Sequence, residues 1–302
     1  MDQVRVRLAG IVKVYPNGTR ALDGADFTAC AGEIHGLLGE NGAGKTTLMG
    51  ILAGLLAPTA GRVEVEGRPV RFRSARDALR ARIGIVQQHL ALVPTFSALD
   101  NILLGLGSPW ARVQRGRWRP VVERLMAESG LSVPLDVPVE QLALGVRQRV
   151  EILKTLIRDV QVLILDEPTA VLAPPEVDDL FRTLRGLRER GHTVIFITHR
   201  LQEVLAVADR ITVLRRGRHV ATLPAAGASP EELARLMVGD ARVVAIPGAA
   251  AAPGVAPGAR PAREAEGPAA RSGAGADRPM PRSRRSRPAP FRGASASPNK
   301  AK

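Results

Sequence analysis

The feature that most constrains the fold of this chain is a glycine-rich octapeptide at residues 39–46, Gly-Glu-Asn-Gly-Ala-Gly-Lys-Thr. A strand-like apolar run at residues 33–38 precedes it, and a helix-like run ending at Ala53 follows it. The octapeptide fits the pattern G-x-x-x-x-G-K-[ST] in the strand–loop–helix context that a phosphate-binding loop requires. Its glycines let backbone N–H groups turn toward a polyphosphate, and the helix N-terminus adds partial positive charge. An accidental glycine-rich turn is the alternative, and the flanking strand and helix argue against it.

Two side chains of this loop are suited to binding a nucleotide together with Mg²⁺. Lys45 can reach the β- and γ-phosphates, and Thr46 can ligate Mg²⁺. The remaining residues of the loop offer backbone amides to the same phosphates. We therefore predict that the segment contacts the nucleotide through Gly39, Glu40, Asn41, Gly42, Ala43, Gly44, Lys45, Thr46 and Thr47.

Composition divides the 302-residue chain near residue 245. Residues 245–302 are dominated by Ala, Pro, Gly, Arg and Ser, and such a segment cannot bury enough apolar surface to offset its ordering entropy. We therefore expect it to be disordered. It contains eleven basic and three acidic residues, so it carries +8 of the net charge of +14. We expect a solvated basic tail, with contact to nucleic acid or anionic lipid as the alternative.

Other global features bear on the compartment of the chain. Cys30 is the single cysteine, which rules out a disulfide within the chain and is consistent with simple packing. No stretch approaches the roughly 18 uninterrupted apolar residues of a membrane-spanning helix. The first residues, Met-Asp-Gln-Val-Arg, do not resemble a signal peptide. From these features we expect a cytoplasmic protein.

The order of predicted elements indicates an α/β fold. Strands alternate with helices along much of the chain, which favours a parallel sheet covered on both faces. The predicted strands are residues 4–14, 25–29, 33–38, 62–66, 83–88, 160–165, 193–197, 211–214 and 219–223. The predicted helices, in addition to the one after the phosphate loop, are residues 75–81, 100–104, 121–129, 146–159, 176–190, 200–206 and 230–237.

Two of the predicted buried strands end in titratable side chains. One runs into Asp166 and Glu167, and the other leads to His199. The carboxyl ends of parallel strands are where open α/β sheets bind ligands. We predict that Asp166 holds Mg²⁺, that Glu167 polarises the water that attacks a γ-phosphate, and that His199 hydrogen-bonds that phosphate and water. Each could instead be a structural loop residue, but the upstream phosphate loop favours catalysis.

A segment between the phosphate loop and Asp166, residues 142–148, reads Leu-Ala-Leu-Gly-Val-Arg-Gln. It resembles the signature motif of ABC-type ATPases, usually L-S-x-G-x-Q. By this resemblance the chain looks like a nucleotide-binding subunit of an ABC transporter over about residues 4–240. The resemblance implies that Leu142, Ala143 and Gly145 contact a nucleotide.

Other elements fit the same family in order. Tyr15 resembles the aromatic residue that stacks on adenine. Gln88 resembles the Q-loop glutamine, which contacts Mg²⁺ and the attacking water and which we count among the catalytic residues. The sequences of residues 85–94 and 166–172 look most like those of the importer ATPases that serve simple-sugar and nucleoside permeases.

The resemblance implies a particular architecture. We expect a P-loop NTPase fold of ABC type over residues 1–240, with a mainly parallel central sheet and an N-terminal antiparallel β region. A helical subdomain would lie within it at about residues 89–158. Two such domains would meet head to tail, so that ATP on one phosphate loop is completed by the signature of the other.

The resemblance also implies partners. Domain closure and ATP hydrolysis would drive paired integral-membrane permease subunits, whose coupling helices dock on residues 89–140. A solute-binding protein would be an indirect partner, and we expect no dedicated nucleic-acid partner. The predicted location is peripheral, on the cytoplasmic face of the membrane.

Three departures from the family pattern leave alternatives open. Ala143 stands where the signature usually has Ser, and Ala173 stands where the following D-loop usually has Asp. The sugar and nucleoside subgroup normally carries two ATPase domains in one chain, and this chain shows one. It could therefore pair with another chain, or it could be a truncated half that binds ATP without turnover. A soluble ABC ATPase acting on nucleic acid or ribosomes is a further alternative, supported by the basic tail alone.

Overall fold

Two β-sheets organise the part of the chain that the structure, a computed structural model, describes: residues 3–106 and 114–239. These residues belong to one compact unit. The predicted tail at 245–302 and the segment 107–113 lie outside the described residues. The strands are β1 (Val4–Val14), β2 (Arg20–Cys30), β3 (Ile34–Leu38), β4 (Ala60–Val65), β5 (Arg68–Val70), β6 (Ile83–Val86), β7 (Val162–Asp166), β8 (Thr193–Thr198), β9 (Arg210–Arg215) and β10 (Arg218–Pro224).

Eight α-helices connect or flank these strands in the described ranges. They are α1 (Lys45–Leu52), α2 (Ala75–Arg80), α3 (Ala98–Leu103), α4 (Arg115–Ser129), α5 (Leu144–Leu156), α6 (Pro174–Glu189), α7 (Leu201–Val207) and α8 (Pro230–Val238). A short 3₁₀ turn, Val139–Gln141, precedes α5. No helix of the described residues is long and apolar enough to cross a membrane.

The central sheet has six strands in the order β10-β9-β3-β8-β7-β6. Its neighbours pair in parallel, except that β10 pairs antiparallel with β9 at the edge. Strands β7 and β8 are buried along their whole length, which matches their continuous apolar sequences and the cover of helices on both faces. The second sheet is antiparallel, with strand order β2-β1-β4-β5. The predicted combination of a mainly parallel sheet and an N-terminal antiparallel region is confirmed.

Close packing between helices and the central sheet depends on two glycines. A Cβ added at Gly36 in β3 would lie 2.0 Å from Val204 Cγ2 of α7. A Cβ at Gly84 in β6 would lie 2.4 Å from Thr155 Cγ2 of α5. Because real Cβ atoms do not approach other atoms so closely, these positions let α7 and α5 sit directly on the sheet.

Two hydrophobic clusters lie on opposite sides of the central sheet. One joins helices α3, α4 and α5 to α6 and to residues of β7 and β8 such as Leu163 and Phe196. The other joins α1 to the antiparallel sheet and contains Leu48, Phe27 and Ile164. Alternate residues of β7 therefore face different clusters, as the two-residue period of a strand requires. The phosphate loop lies at the edge of the second cluster, ahead of α1.

Several element boundaries differ from the prediction. Helix α5 begins at Leu144 rather than 146, which places Gly145 inside its first turn. Helix α6 begins at Pro174 rather than 176. Proline is favoured in the first turn because a backbone N–H there would have no acceptor within the helix. The Glu176 carboxylate also accepts a hydrogen bond from the Ala173 N–H at 3.0 Å, which closes that helix end.

The sequence also missed parts of two elements and one short strand. Strand β2 begins at Arg20, five residues before the predicted start, because it pairs with β1 from Val14 onward. Helix α4 begins at Arg115 and continues through Pro120, which had been expected to precede the helix. Trp118 packs against the core and holds that first part of α4 in place. The short strand β5 was not predicted.

Candidate nucleotide-binding site

The phosphate loop connects the carboxyl end of β3 to α1 and forms the wall of a cleft of about 530 Å³. The cleft brings together residues that are far apart in sequence. Gln88, which follows β6, and Glu167, which follows β7, face the loop across it. The lining residues are Thr19, Arg20, Ala21, Asn41, Gly42, Ala43, Gly44, Lys45, Thr46, Thr47, Gln88 and Glu167.

The backbone of the loop needs its glycines. Gly44 has a φ of +100°, and a Cβ there would lie 2.7 Å from Ala21 O. A Cβ at Gly39 would lie 2.3 Å from Leu214 O of β9. Substitution at either position would push the loop away from the strands that hold it.

The loop presents unsatisfied donors to the cleft. The N–H of Leu48 bonds to Gly44 O, as in a regular helix. The preceding amides, of Gly44, Lys45, Thr46 and Thr47, have no acceptor among the described residues. First-turn amides point along the axis beyond a helix N-terminus, so together they suit a polyphosphate. The residues of the loop therefore fit the nucleotide that the sequence predicts.

The turn before β10 fixes the loop from outside. The Gly217 N–H donates to Ala43 O at 3.0 Å, and Gly217 O accepts from the Asp23 N–H at 2.9 Å. Gly217 has a φ of +75°, and a Cβ there would lie 2.6 Å from Ala21 O. One glycine thus ties the phosphate loop to β2 in the other sheet through main-chain atoms alone.

Lys45 is almost fully buried, with 6% of its surface exposed. Its Nζ donates to Gly39 O at 2.8 Å and to Glu40 O at 3.0 Å, so the ammonium is folded over its own loop. Burial lowers the pKa of Lys45, while the negative charges of Glu167 and Asp166 act in the opposite direction. The side chain therefore lies between the loop and the two acids at the end of β7.

Asp166 and Thr46 supply oxygen atoms of the kind that Mg²⁺ prefers. Asp166 is the last residue of β7 and is 6% exposed. Burial raises the pKa of Asp166, a hydrogen bond from Thr46 lowers it, and the Glu167 charge raises it. A buried carboxylate next to a hydroxyl and a second carboxylate fits a divalent cation, because the cation would relieve the repulsion between the two acids.

Glu167 has an unusual backbone. Its φ of +46° is in the left-handed region, which costs free energy for a residue with a long side chain. Its N–H donates to Ile197 O at 3.0 Å, and its Oε1 lies 2.9 Å from His199 Nδ1. The ends of β7 and β8 thus hold the carboxylate in one position. The structure brings Glu167 and His199, which the sequence predicts to act together, into direct contact.

Tyr15 lies next to the loop but not in the lining of the cleft. Its hydroxyl is 3.2 Å from Thr47 Oγ1, and Lys13 Nζ lies 5.5 Å from the centre of its ring. Its stacking on adenine stays a prediction. The sequence reasoning missed Thr19, Arg20 and Ala21, which line the cleft. The Pro-Asn-Gly turn at residues 16–18 was a usable signal, because a hairpin there returns the chain to the loop.

The signature residues are not in this cleft. Ala143 precedes α5 and is exposed, and the exposed fraction of Leu144 is 39%. Leu142, Ala143 and Gly145 are absent from the lining of the cleft within the described chain. A Cβ at Gly145 would lie 2.3 Å from Glu176 Oε1, so this glycine allows α5 to approach α6. If these three residues contact a nucleotide, as the sequence predicts, that nucleotide must be bound to the cleft of a second cassette.

A glycine-rich loop with a buried lysine, facing acids at the end of a parallel strand, defines a P-loop nucleotide-binding domain. Comparison with known proteins agrees, since residues 22–170 match the ABC transporter family. The chain therefore carries an ATP-binding cassette domain of the ABC transporter type, a class of ATPase domain.

Proteins named as sugar importers are among the relatives of this chain. The chain is 45% identical over 241 residues to "Ribose import ATP-binding protein RbsA 2" of Burkholderia cenocepacia, which covers 79% of this chain and 47% of that protein. It is 43% identical over 263 residues to "Glucose import ATP-binding protein TsgD13" of Haloferax volcanii, covering 78% and 48% respectively. The chain therefore spans about half the length of the curated relatives it matches.

Solved structures show the same fold. The cbiO1 protein from Clostridium perfringens, part of the ABC transporter complex cbiONQ, is 28% identical with a TM-score of 0.67, covering 78% of this chain and 94% of its own. The ATP-binding cassette MJ0796, in a dimeric post-hydrolysis state bound to ADP and phosphate, is 26% identical with a TM-score of 0.63. That match covers 74% of this chain and all of the other.

Proposed function

We propose that this chain binds and hydrolyses ATP as the energy-coupling component of a solute importer. The observation that carries the proposal is the position of Glu167, which is held against His199 and faces Lys45 and the phosphate loop. A carboxylate so placed can polarise a water molecule for attack on a γ-phosphate.

The residues of the cleft divide the work of hydrolysis. The free amides of the loop and the Lys45 ammonium bind the β- and γ-phosphates and neutralise charge that develops during the reaction. Glu167 accepts a proton from the attacking water, and His199 orients the carboxylate and contacts the γ-phosphate. Gln88 reaches the cleft from the end of β6 and positions the water. Mg²⁺, held by Thr46, Asp166 and Gln88, would neutralise phosphate charge.

We propose that two cassettes complete each site. Leu142, Ala143 and Gly145 lie at the N-terminus of α5, outside the cleft of their own chain, where free helix amides could serve the γ-phosphate of a second cassette. The dimeric state of the cassette MJ0796 with ADP and phosphate supports this arrangement. The second cassette is another copy of this chain or a cassette in another chain.

We propose that permease subunits dock in a groove of about 210 Å³ between α2, β6 and α5, here named the docking groove. Of its lining, Ala91 alone belongs to the segment 89–140 that the family resemblance indicates, so the proposed contact is centred beside that segment. Its apolar wall includes Ala53, Leu79 and Ile85, and its rim carries Glu151, Lys154 and Arg158. An apolar wall with a charged rim suits a short amphipathic segment of a membrane partner. Lys154 also donates to Ala91 O, which joins the groove to the segment after Gln88.

The names of the relatives indicate a solute class. Ribose and glucose importers are among them, so we propose a sugar as the transported solute, with a nucleoside as the alternative. A solute-binding protein would deliver it to the permease. The cassette would then lie peripherally at the cytoplasmic face of the membrane.

A second candidate is a cassette that binds ATP without useful turnover. Two observations favour it: Ala143 and Ala173 lack the polar side chains expected at the cassette interface, and the chain spans about half of its curated relatives. Loss of one hydroxyl contact would cost about 1 kcal/mol and would slow hydrolysis rather than abolish it.

Steady-state hydrolysis of ATP by wild type and Glu167→Gln, with light scattering in the presence of ATP, separates the two candidates. We expect wild type to turn over, and Glu167→Gln to lose about 10²–10³-fold in kcat while forming an ATP-dependent dimer. Glu128→Gln, an exposed glutamate of α4, is the matched control and keeps its activity. Wild type that binds ATP but neither dimerises nor hydrolyses it would exclude a site completed by a second copy of this chain and favour the non-catalytic candidate.

A further inference from the structure

An excess of arginine surrounds α2 on the surface. Residues 60–82 contain seven arginines and three acids. Each acid already has a partner: Glu64 pairs with Arg62, Glu66 with Arg5, and Asp77 with Arg80. Asp77 is also committed to the Arg73 N–H and the Ser74 hydroxyl. The acids of the segment therefore leave most of its positive charge uncompensated.

Four of these arginines form what we name the arginine patch: Arg68, Arg71, Arg73 and Arg76. All four are exposed, and none of their side chains makes an ion pair or hydrogen bond with the described part of the chain. Arginines on α6, by contrast, include bound ones. Arg188 pairs with Asp209, and Arg185 donates to Ala206 O. The patch therefore has free guanidinium groups for an anionic partner.

The patch lies beside the docking groove. Helix α2 places Ala75 and Leu79, four residues apart, in the wall of the groove. Arg76 and Arg80 follow them directly in sequence and occupy the neighbouring face of the same helix. Whatever fills the groove therefore approaches the surface that carries the arginines.

An apolar cleft adjoins the patch on its other side. It has a volume of about 320 Å³ and is lined by Leu56, Val70 and Phe72 together with Arg71. Leu55, next in sequence to Leu56, is 45% exposed. Basic side chains around exposed apolar side chains are the combination that binds the interface of an anionic bilayer.

We propose that the arginine patch binds anionic phospholipid headgroups at the membrane surface, next to the permease. The proposal rests on the proposed function, because a permease in the docking groove brings α2 to the bilayer. The chemistry is charge pairing between guanidinium groups and phosphate or carboxylate oxygens, with Leu55 and Phe72 as apolar contacts. The patch would orient the cassette and add to the affinity of the permease contact.

The test is co-sedimentation of the full chain with vesicles of phosphatidylcholine alone or with 30% (about one lipid in three) phosphatidylglycerol, at several salt concentrations. The patch variant replaces Arg68, Arg71, Arg73 and Arg76 with Gln. The control variant replaces four exposed arginines that also lack ion pairs but lie elsewhere in the described chain: Arg124, Arg190, Arg216 and Arg235. Both variants keep the basic tail and lose the same charge.

We expect the patch variant to bind the anionic vesicles at least about tenfold more weakly than wild type, and the control variant to stay within about twofold. Equal losses in both variants would overturn the proposal in favour of net charge or the tail. Anisotropy with a fluorescent oligonucleotide tests the other partner class. A patch-specific loss there, without one on vesicles, would also overturn the proposal.

Hydrolysis of ATP by the same preparations keeps this result separate from the proposed function. If the patch variant loses vesicle binding and retains the ATPase rate of wild type, the arginine patch binds lipid independently of catalysis. Wild type without ATPase activity would contradict the proposed function, while the vesicle comparison would still decide the lipid proposal.

Discussion

Polar groups are buried at both ends of strand β3, and the two ends differ in how the chain satisfies them. At the amino end, Glu33 Oε1 accepts from the Cys30 N–H at 2.8 Å and lies 2.7 Å from His35 Nδ1. His35 Nε2 is 2.7 Å from Thr212 Oγ1, which continues to Thr222 at 2.8 Å. At the carboxyl end, four loop amides have no acceptor in the described chain, and Lys45 is held by carbonyls of its own loop.

The difference separates structure from function. A buried group whose hydrogen bonds are complete within the chain stabilises one fold and needs no ligand. A buried group that lacks partners, or that has a strained backbone like Glu167, costs stability unless a ligand completes it. The amino end of β3 therefore holds the sheet together, while the carboxyl end is the place for a nucleotide. Substitutions at the two ends should have opposite signatures.

The largest effect is expected from Lys45→Met at the carboxyl end. The change removes the cation that we propose binds the β- and γ-phosphates, so ATP affinity should fall by on the order of 100-fold or more. The melting temperature without nucleotide should stay equal or rise, because burial of an ammonium is costly. Titration with a fluorescent ATP analogue and a thermal melt measure the two quantities. Unchanged affinity would show that the free amides alone bind the phosphates.

His199→Ala should have a smaller effect on catalysis. Glu167 would lose the contact at 2.9 Å that orients its carboxylate, so kcat should fall by roughly 10–100-fold with KM for ATP little changed. The control is His219→Ala, on the edge strand β10 and outside the cleft. A change confined to KM would instead assign His199 to nucleotide binding.

His35→Leu tests the other end of the strand. It leaves the buried Glu33 carboxylate and the Thr212 hydroxyl each with one partner fewer, so the free energy of unfolding should fall by about 2 kcal/mol. The kcat of the folded enzyme should not change. Urea unfolding followed by an ATPase assay measures both, and Thr212→Val, which removes one hydroxyl, should cost about half as much. If His35→Leu lowered kcat without lowering the free energy of unfolding, the division of β3 into a structural amino end and a ligand-binding carboxyl end would be contradicted.

The smallest effect is a pH dependence of stability. Burial lowers the pKa of His35, although the hydrogen bond to Glu33 opposes the shift. The unfolded chain therefore binds a proton that the folded chain does not. The stability from neutral His35 is full above a pH of about 6.5 and is lost as the pH falls below it, by up to about 1.4 kcal/mol per unit.

Urea unfolding between about pH 7.5 and 5.5 measures this slope, within the usual range of histidine titration. The slope should be shallower in His35→Gln than in wild type. Some slope should remain, because burial also lowers the pKa of His192. Equal slopes in the two proteins would show that His35 is not the group responsible.

Sequence patterns located the polar groups at the carboxyl end of β3, whose roles stay predictions, and indicated none of those at the amino end. The phosphate loop is local, since its glycines, Lys45 and Thr46 lie within eight residues and their spacing determines their function. The positions of Asp166 and Glu167 were also predictable. An apolar run that ends in acids is typical of a buried parallel strand, which places the acids at its carboxyl end. The contact between Glu167 and His199 follows from the parallel pairing of β7 with β8.

The rest depends on contacts between distant segments. His35 contacts Thr212 because β3 pairs with β9. The local sequence of neither strand predicts that pairing. Arg20 and its neighbours reach the cleft because β2 pairs with β1 beyond the predicted strand start. Strand β5 has three residues and contains Pro69, so its sequence resembles a turn more than a strand.

The bonds of Gly217 to Ala43 and Asp23 have a consequence for tolerance to mutation. Both join main-chain atoms, which side-chain replacements at residues 23 and 43 leave in place, apart from proline at 23, which has no N–H to donate. Random substitution would therefore rarely weaken this support of the loop, and many sequences could carry it unchanged. The exception is position 217 itself, where any Cβ meets Ala21 O. The tolerance of this particular support thus ends at position 217, a residue without a side chain that lies far in sequence from the loop it supports.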